Sequence, residues 1–145
     1  MRPRELVEHA LKLLLTKEMS AFAELWAEDG VLEFPFASPG YPSRLDGRAA
    51  VRAYLRDYPD IVDLRAITEQ RVHETTDPEV VIAEFTAEGV VVRTGRPYRL
   101  SYVAVVTVRD GEIRHYRDYW SPLAAAQALG GADELTAAFA GGGDA

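Results

Sequence analysis

The stretch GRPYRLSYVAVVTVRDGEIRHYRDYWSP, residues 95–122, decides the fold, because its pattern predicts two long strands joined by a tight turn. Apolar residues alternate along residues 97–109 and 112–120, which is the period of a β-strand. The pair Asp110-Gly111 between them is typical of a hairpin turn. The sequence therefore predicts an antiparallel hairpin in this part of the chain.

Asp118 is the unexpected residue of this hairpin, since aspartate is depleted in strands. Alternation divides the last strand into two faces: Arg114, Tyr116, Asp118 and Trp120 on one, and Ile113, His115, Arg117 and Tyr119 on the other. A carboxylate beside Arg117 is often half of an exposed ion pair, which stabilises by at most about 1 kcal/mol. A carboxyl enclosed by aromatic rings would instead have a pKa raised by desolvation and could carry protons near neutral pH. The pattern alone leaves both interpretations open.

The remaining elements place helices before strands, the order of an α+β fold. Helical spacing of apolar residues predicts helices at residues 4–16, 20–30 with Ser20 as the cap, 48–58 ended by Pro59, 123–129 and 133–139. Alternation predicts further strands at residues 31–36, 64–75 and 79–93. Long bent strands wrapped around the N-terminal helices would enclose a cavity. We expect one domain over residues 1–130, followed by a C-terminal tail over residues 131–145.

Composition excludes several classes of function. The chain has 145 residues with a net charge of −7, which argues against a nucleic-acid partner. It has no cysteine, so disulfides, thiolate nucleophiles and cysteine-based zinc sites are excluded. No apolar run approaches the ~20 residues that span a bilayer, and Lys12 interrupts the apolar run near the N-terminus. We expect a cytoplasmic protein without a membrane partner.

The strand at residues 97–109 is apolar on both faces, with Val103 and Val105 on the face opposite Tyr102 and Ala104. A second apolar face needs a cover, and a second copy of the chain is the simplest one. The sequence therefore predicts a homodimer packed sheet to sheet.

Residues 95–122 resemble the C-terminal hairpin of the nuclear transport factor 2-like superfamily, especially its SnoaL-like branch. Residues 74–78, Glu-Thr-Thr-Asp-Pro, are similar to the E-T-x-D-P turn of the phenazine-biosynthesis A/B proteins. The segments AELWAEDGVLEFPF (23–36) and LDGRAAVRAYL (45–55) resemble the helix–strand–helix opening of the superfamily. The resemblance covers residues 4–130. It implies a cone-shaped α+β barrel whose curved, mixed or antiparallel sheet surrounds a cavity.

The same resemblance implies a role for Asp118. It matches the acidic residue that acts as general acid or base in the last strand of limonene-type epoxide hydrolases, SnoaL-type cyclases and phenazine proteins. The catalytic positions of ketosteroid isomerases correspond here to Phe34 and Ala104, which argues against steroid isomerisation. The Arg-x-Asp pair of the epoxide hydrolases corresponds to Phe85 and Ala87, which argues against epoxide hydrolysis.

These inferences favour a small cofactor-independent enzyme of the isomerase, cyclase or dehydratase type, acting on a hydrophobic, cyclic secondary metabolite. The alternatives are a non-catalytic small-molecule-binding protein, an epoxide hydrolase with an altered catalytic set, and a dimeric interaction module whose cavity is filled by side chains. Asp118 is the candidate catalytic residue. The residues expected to line the cavity are Trp26, Phe34, Tyr54, Tyr58, Phe85, Tyr102, Tyr116 and Trp120.

Two further expectations concern polar groups of the site. The Tyr102 hydroxyl is expected to bond to the substrate or to Asp118, because a buried hydroxyl needs a partner. His73 is a possible secondary site residue. The three histidines show no metal-ligand spacing, so we expect neither a metal nor another cofactor.

Overall fold

A computed structural model describes the backbone of residues 1–143 and, except at positions 132 and 140–143, their side chains. The helices are α1 (Pro3–Leu15), α2 (Met19–Glu24), α3 (Arg48–Leu55), α4 (Tyr58–Ile61), α5 (Pro122–Leu129) and α6 (Ala132–Gly143). The strands are β1 (Trp26–Glu33), β2 (Arg44–Asp46), β3 (Val62–Glu74), β4 (Val80–Val91), β5 (Pro97–Arg109) and β6 (Glu112–Trp120). Among these residues, no helix has both the length and the hydropathy that crossing a bilayer requires.

The six strands form one curved, open sheet with the order β2-β1-β6-β5-β4-β3. All neighbouring strands are antiparallel except β1 and β6, which run parallel. The apolar face of the sheet and the helices share one buried core, to which α1, α2 and α3 all contribute side chains. The predicted α+β fold with a curved sheet is confirmed.

Strand β4 shows why the sheet is buried on one side. Val81, Ala83 and Phe85 alternate inward and are at most 4% exposed, while Glu84 between them is exposed. Gly89 near the end of β4 lies so close to the Asp63 carbonyl of β3 that any side chain there would clash. The absent side chain therefore lets the two long strands approach where their register shifts.

The helix predicted over residues 20–30 is wrong beyond its first turns. Helix α2 ends at Glu24 and has Glu18, not Ser20, at its N-cap position, with no side-chain cap hydrogen bond. The chain then joins the sheet, because the Ile113 amide donates to the Leu25 carbonyl at 2.8 Å and Trp26 pairs with Ile113. The apolar spacing correctly indicated burial but did not fix the backbone conformation. The first strand therefore begins at Trp26 instead of residue 31, and it ends at Glu33 instead of residue 36.

Two other helices also differ from expectation. The segment 48–58 is divided between α3 and α4, and Pro59 lies in the first turn of α4, where its missing amide hydrogen costs no helical bond. Helix α6 is longer than the predicted 133–139, and its Leu135 and Phe139 are buried in the core. The division between a domain over residues 1–130 and a tail over residues 131–145 stays a prediction.

A β-bulge in β6 changes the predicted faces at the start of that strand. Val108 pairs with Ile113 and Thr107 pairs with His115, so Arg114 is an extra residue with no opposite partner on β5. Ile113 is consequently fully buried on the same side of the sheet as Tyr116, although simple alternation placed these two residues on opposite faces. Beyond the bulge the alternation is regular.

Candidate active site

A cavity of about 80 Å³ lies between the concave face of the sheet and the helices. Twelve of its 21 lining residues are aromatic. The lining residues are Leu14, Phe22, Trp26, Leu32, Phe34, Tyr41, Tyr54, Leu55, Tyr58, Phe85, Ala87, Tyr98, Leu100, Tyr102, Tyr116, Asp118, Trp120, Ala125, Leu129, Leu135 and Phe139. An apolar wall with a few polar groups is the usual character of a small-molecule site.

Strand β6 directs the side chain of Asp118 into this cavity. Asp118 shares its face with Tyr116 and Trp120, and both of these rings are buried. Its partner on β5 is Ala104, whose small side chain leaves room beside the carboxyl group. Tyr102 is the diagonal neighbour of Asp118 on the same face, since it pairs with Trp120.

The carboxyl group of Asp118 is enclosed and incompletely bonded. Part of the side chain faces the cavity, but its Oδ1 atom is inaccessible and has no hydrogen-bond partner among the described residues. Burial raises the pKa of Asp118 from 3.8 to about 7. The group can therefore both accept and donate a proton near neutral pH.

Tyrosine hydroxyls supply the other polar atoms of the wall. The Tyr98 and Tyr102 hydroxyls are hydrogen-bonded at 2.7 Å, and those of Tyr41 and Tyr54 are also bonded to each other. Tyr102 thus bonds to Tyr98, not to Asp118 as one of the two expectations had it. Burial raises the pKa of all four hydroxyls, and the Asp118 carboxylate raises it further. The four tyrosines therefore remain neutral donors and acceptors at neutral pH.

Packing among the rings fixes the shape of the wall. Trp26 stacks on Tyr116 with the ring centroids 5.4 Å apart, and Phe85 stacks on Tyr102 at 5.0 Å. Phe34 packs against Trp120 at 6.1 Å. Because each ring is held by its neighbours, the cavity is largely preformed.

All eight residues predicted to line the cavity do lie on its wall, and their functional roles remain predictions. Four aromatic wall residues were missed. Phe22 lies on α2, where its helical spacing indicated burial but not contact with the cavity. Tyr98 shares its face of β5 with Tyr102, so alternation could have identified it. Tyr41 lies in a loop without periodicity, and Phe139 lies in the segment expected to be a tail, so neither carried a usable signal.

His73 does not lie on the cavity wall. It is exposed on β3, where its Nε2 is 2.6 Å from the Glu84 carboxylate of β4. This pair belongs to the outer face of the sheet, because Glu84 points away from the buried side of β4. The possible secondary role of His73 in the cavity is therefore not supported by its position.

Comparison with known proteins places the chain in a family. The model of the SnoaL-like domain matches residues 7–116. The uncharacterized protein YesE of Bacillus subtilis is 44% identical over 127 residues, which are 88% of this chain and 86% of YesE. The uncharacterized PhzA/B-like protein PA3332 of Pseudomonas aeruginosa is 38% identical over 133 residues, covering 92% of this chain and 94% of that protein.

Solved structures agree with this assignment. A Bacillus subtilis protein provisionally named an isomerase is 43% identical and superimposes with a TM-score of 0.83 over 90% of this chain and 97% of that one. A Pseudomonas putida protein provisionally named a polyketide cyclase is 22% identical, with a TM-score of 0.73 over 83% and 92% of the two chains, and shows the likeness of fold. The chain therefore belongs to the SnoaL-like domain family.

Proposed function

We propose that this protein is an acid–base enzyme that moves a proton on a hydrophobic small molecule, with Asp118 as the proton carrier. The observation that carries the proposal is the enclosed Asp118 carboxyl group, whose Oδ1 lacks a partner among the described residues of an aromatic cavity. A substrate bound in the cavity would bond to the part of this carboxyl group that faces the cavity. Isomerisation, cyclisation and dehydration of a cyclic secondary metabolite all need such a proton transfer.

The mechanism uses both charge states of Asp118. The ionised carboxylate removes a proton from a carbon of the bound substrate, and the resulting carboxylic acid returns the proton at a second position. A pKa of about 7 makes both states available at neutral pH. The tyrosine hydroxyls can donate hydrogen bonds to an oxygen on which negative charge develops. Positioning by the aromatic wall and exclusion of water supply the rest of the rate.

Deuterium incorporation from heavy water tests this function before the natural substrate is known. A panel of cyclic ketones, with and without an amino group, is incubated with the protein, and exchange next to the carbonyl is followed by NMR. Wild-type protein should accelerate exchange on some members of the panel. Asp118→Asn should lose about 10²–10⁴-fold of that acceleration, the usual contribution of one acid–base group.

The control variant is Glu84→Gln, which removes an exposed carboxylate on the outer face and should exchange at the wild-type rate. Exchange by Asp118→Asn at the wild-type rate would contradict the assignment of Asp118.

A non-catalytic binding protein is the second candidate. The observation that favours it is that Asp118 is the single carboxylate among the described wall residues, so no second acidic group accompanies it. On this interpretation members of the panel would bind to the wild-type protein, and none would exchange faster than in buffer.

A further inference from the structure

We propose that the ligand of this cavity is a compact organic cation, in which a hydrophobic frame carries an ammonium or iminium group. The inference rests on the proposed function for the location of the site and adds the chemical class of the molecule bound there. Three properties of the wall support it: its aromatic content, its unpaired carboxyl group and its lack of positive charge.

The aromatic wall is suited to a cation. The face of an aromatic ring carries partial negative charge and attracts a cation within about 6 Å of the ring centroid. Phe34, Tyr41 and Trp120 pack against one another with centroids 5.2–6.1 Å apart, and all three border the cavity. A positive group among these rings would interact with several π-systems at once.

The carboxyl group of Asp118 lacks a counter-charge. None of the described lining residues is a lysine, an arginine or a histidine. A buried carboxylate without a positive neighbour is unstable, and a bound cation would stabilise it by charge and by an N–H donor to the part of the carboxylate that faces the cavity. An anionic ligand would meet a carboxylate and the negative ring faces, with no positive side chain on the described wall to offset them.

A neutral carbonyl compound is the competing ligand class, because tyrosine hydroxyls could donate to its oxygen. Such a ligand leaves the Asp118 carboxylate without compensation once it ionises. A cation avoids this, and proton transfer from the cation to Asp118 leaves two neutral groups, the charge state that an apolar cavity favours. The binding preference is therefore compatible with the proton transfer proposed above.

The test compares two probes of nearly the same shape, cyclohexylammonium and cyclohexanol. Binding to wild-type protein is followed at pH 8 by the fluorescence of Trp26 and Trp120, which both border the cavity. The ammonium ion should bind at least about tenfold more tightly than the alcohol, as one charge-assisted hydrogen bond predicts. Equal or tighter binding of cyclohexanol would overturn the proposal.

The pH dependence gives a second readout. Because the cation requires ionised Asp118, its affinity should fall about tenfold per pH unit below pH 7, while the affinity of cyclohexanol should change little. The other titratable groups on the described wall are Tyr41, Tyr54, Tyr58, Tyr98, Tyr102 and Tyr116. All six have a raised pKa and stay neutral from pH 5 to 8. A flat profile for the cation would count against the proposal.

Variants separate charge from shape. Asp118→Asn should bind both probes with the affinity that wild type shows for cyclohexanol, and retained alcohol binding shows that the variant is folded. Phe34→Leu should weaken cyclohexylammonium more than cyclohexanol, whereas Glu84→Gln should change neither. A preference for the cation that persists in Asp118→Asn would refute the proposal. If the wild-type protein prefers the cation but does not accelerate deuterium exchange on any panel compound, only the enzymatic function is refuted.

Discussion

Asp118 couples the stability of the fold to pH. Its pKa rises from 3.8 in an exposed chain to about 7 in the folded protein. Between these values the folded state binds more protons than the unfolded state, so the free energy of unfolding falls as pH rises through this window. Enclosing this carboxyl group therefore lowers the stability of the folded protein at neutral pH.

At the residue scale this coupling predicts the behaviour of Asp118→Asn. From pH 5.5 to 8 wild type should lose stability relative to this variant, at no more than about 1.4 kcal/mol per pH unit. The difference in unfolding free energy, measured by urea denaturation at both pH values, isolates Asp118 because other titrating groups are shared. Glu84→Gln should track wild type across the range. A difference independent of pH would show that Asp118 is ionised in the folded protein.

Alternation placed Asp118 with Tyr116 and Trp120, and that grouping is correct because the strand is regular beyond residue 114. The sequence could not show that Oδ1 lacks a partner. That property depends on Ala104 opposite the carboxyl group and on tyrosine hydroxyls that bond to one another, and both belong to the tertiary structure.

At the scale of elements, the long strands were predictable and the short ones were not. The predicted strands 97–109 and 112–120 agree with β5 and β6, because strong alternation and an Asp-Gly turn define both ends. Strand β2 has three residues, too few to show a period. The length of helix α6 was underestimated because its glycine-rich end has low helix propensity. Its packing on the cavity depends on tertiary contacts, which the sequence pattern does not show.

Phe139 is predicted to hold helix α6 against the cavity wall. Phe139 stacks on Tyr54 with centroids 5.7 Å apart and also contacts Tyr41 and Tyr58. Phe139→Ala should remove the main aromatic contact of α6 and speed amide hydrogen exchange in residues 133–143 by about tenfold or more, with less change in the sheet. Hydrogen exchange followed by mass spectrometry provides the measurement.

Phe36→Ala is the matched control, because Phe36 is 60% exposed and lies outside the cavity lining. Equal protection of α6 in wild type and Phe139→Ala would show that Phe139 does not hold the helix.

At the scale of the whole molecule, the outer face of the sheet carries apolar residues that no other part of the described chain covers. Val103 lies on β5 near the centre of this outer face and is 38% exposed. Val105, two residues further along the same strand, is half-buried. Polar bonds surround them, including the 3.0 Å bond between Thr86 and Ser101. We propose that a second copy of the chain covers this face.

The proposal predicts a solution mass of twice 16.0 kDa. Val103→Lys should shift the protein toward monomer by placing a charge on the apolar centre, as sedimentation equilibrium would detect. Val92→Lys is the control, since Val92 is 51% exposed and follows β4 at the turn toward β5. A monomer for wild type at micromolar concentration would contradict the proposal.

The bulge at Arg114 makes the hairpin tolerant of changes in length. With Arg114 deleted, Ile113 and His115 would follow one another as inward and outward residues, and Tyr116 and Asp118 would keep their orientations. Relatives with a hairpin one residue shorter can therefore hold an acid at the same point of the cavity. Sequence alignments of this family should allow a gap there, since a forced ungapped match would align Asp118 with a residue of the opposite face.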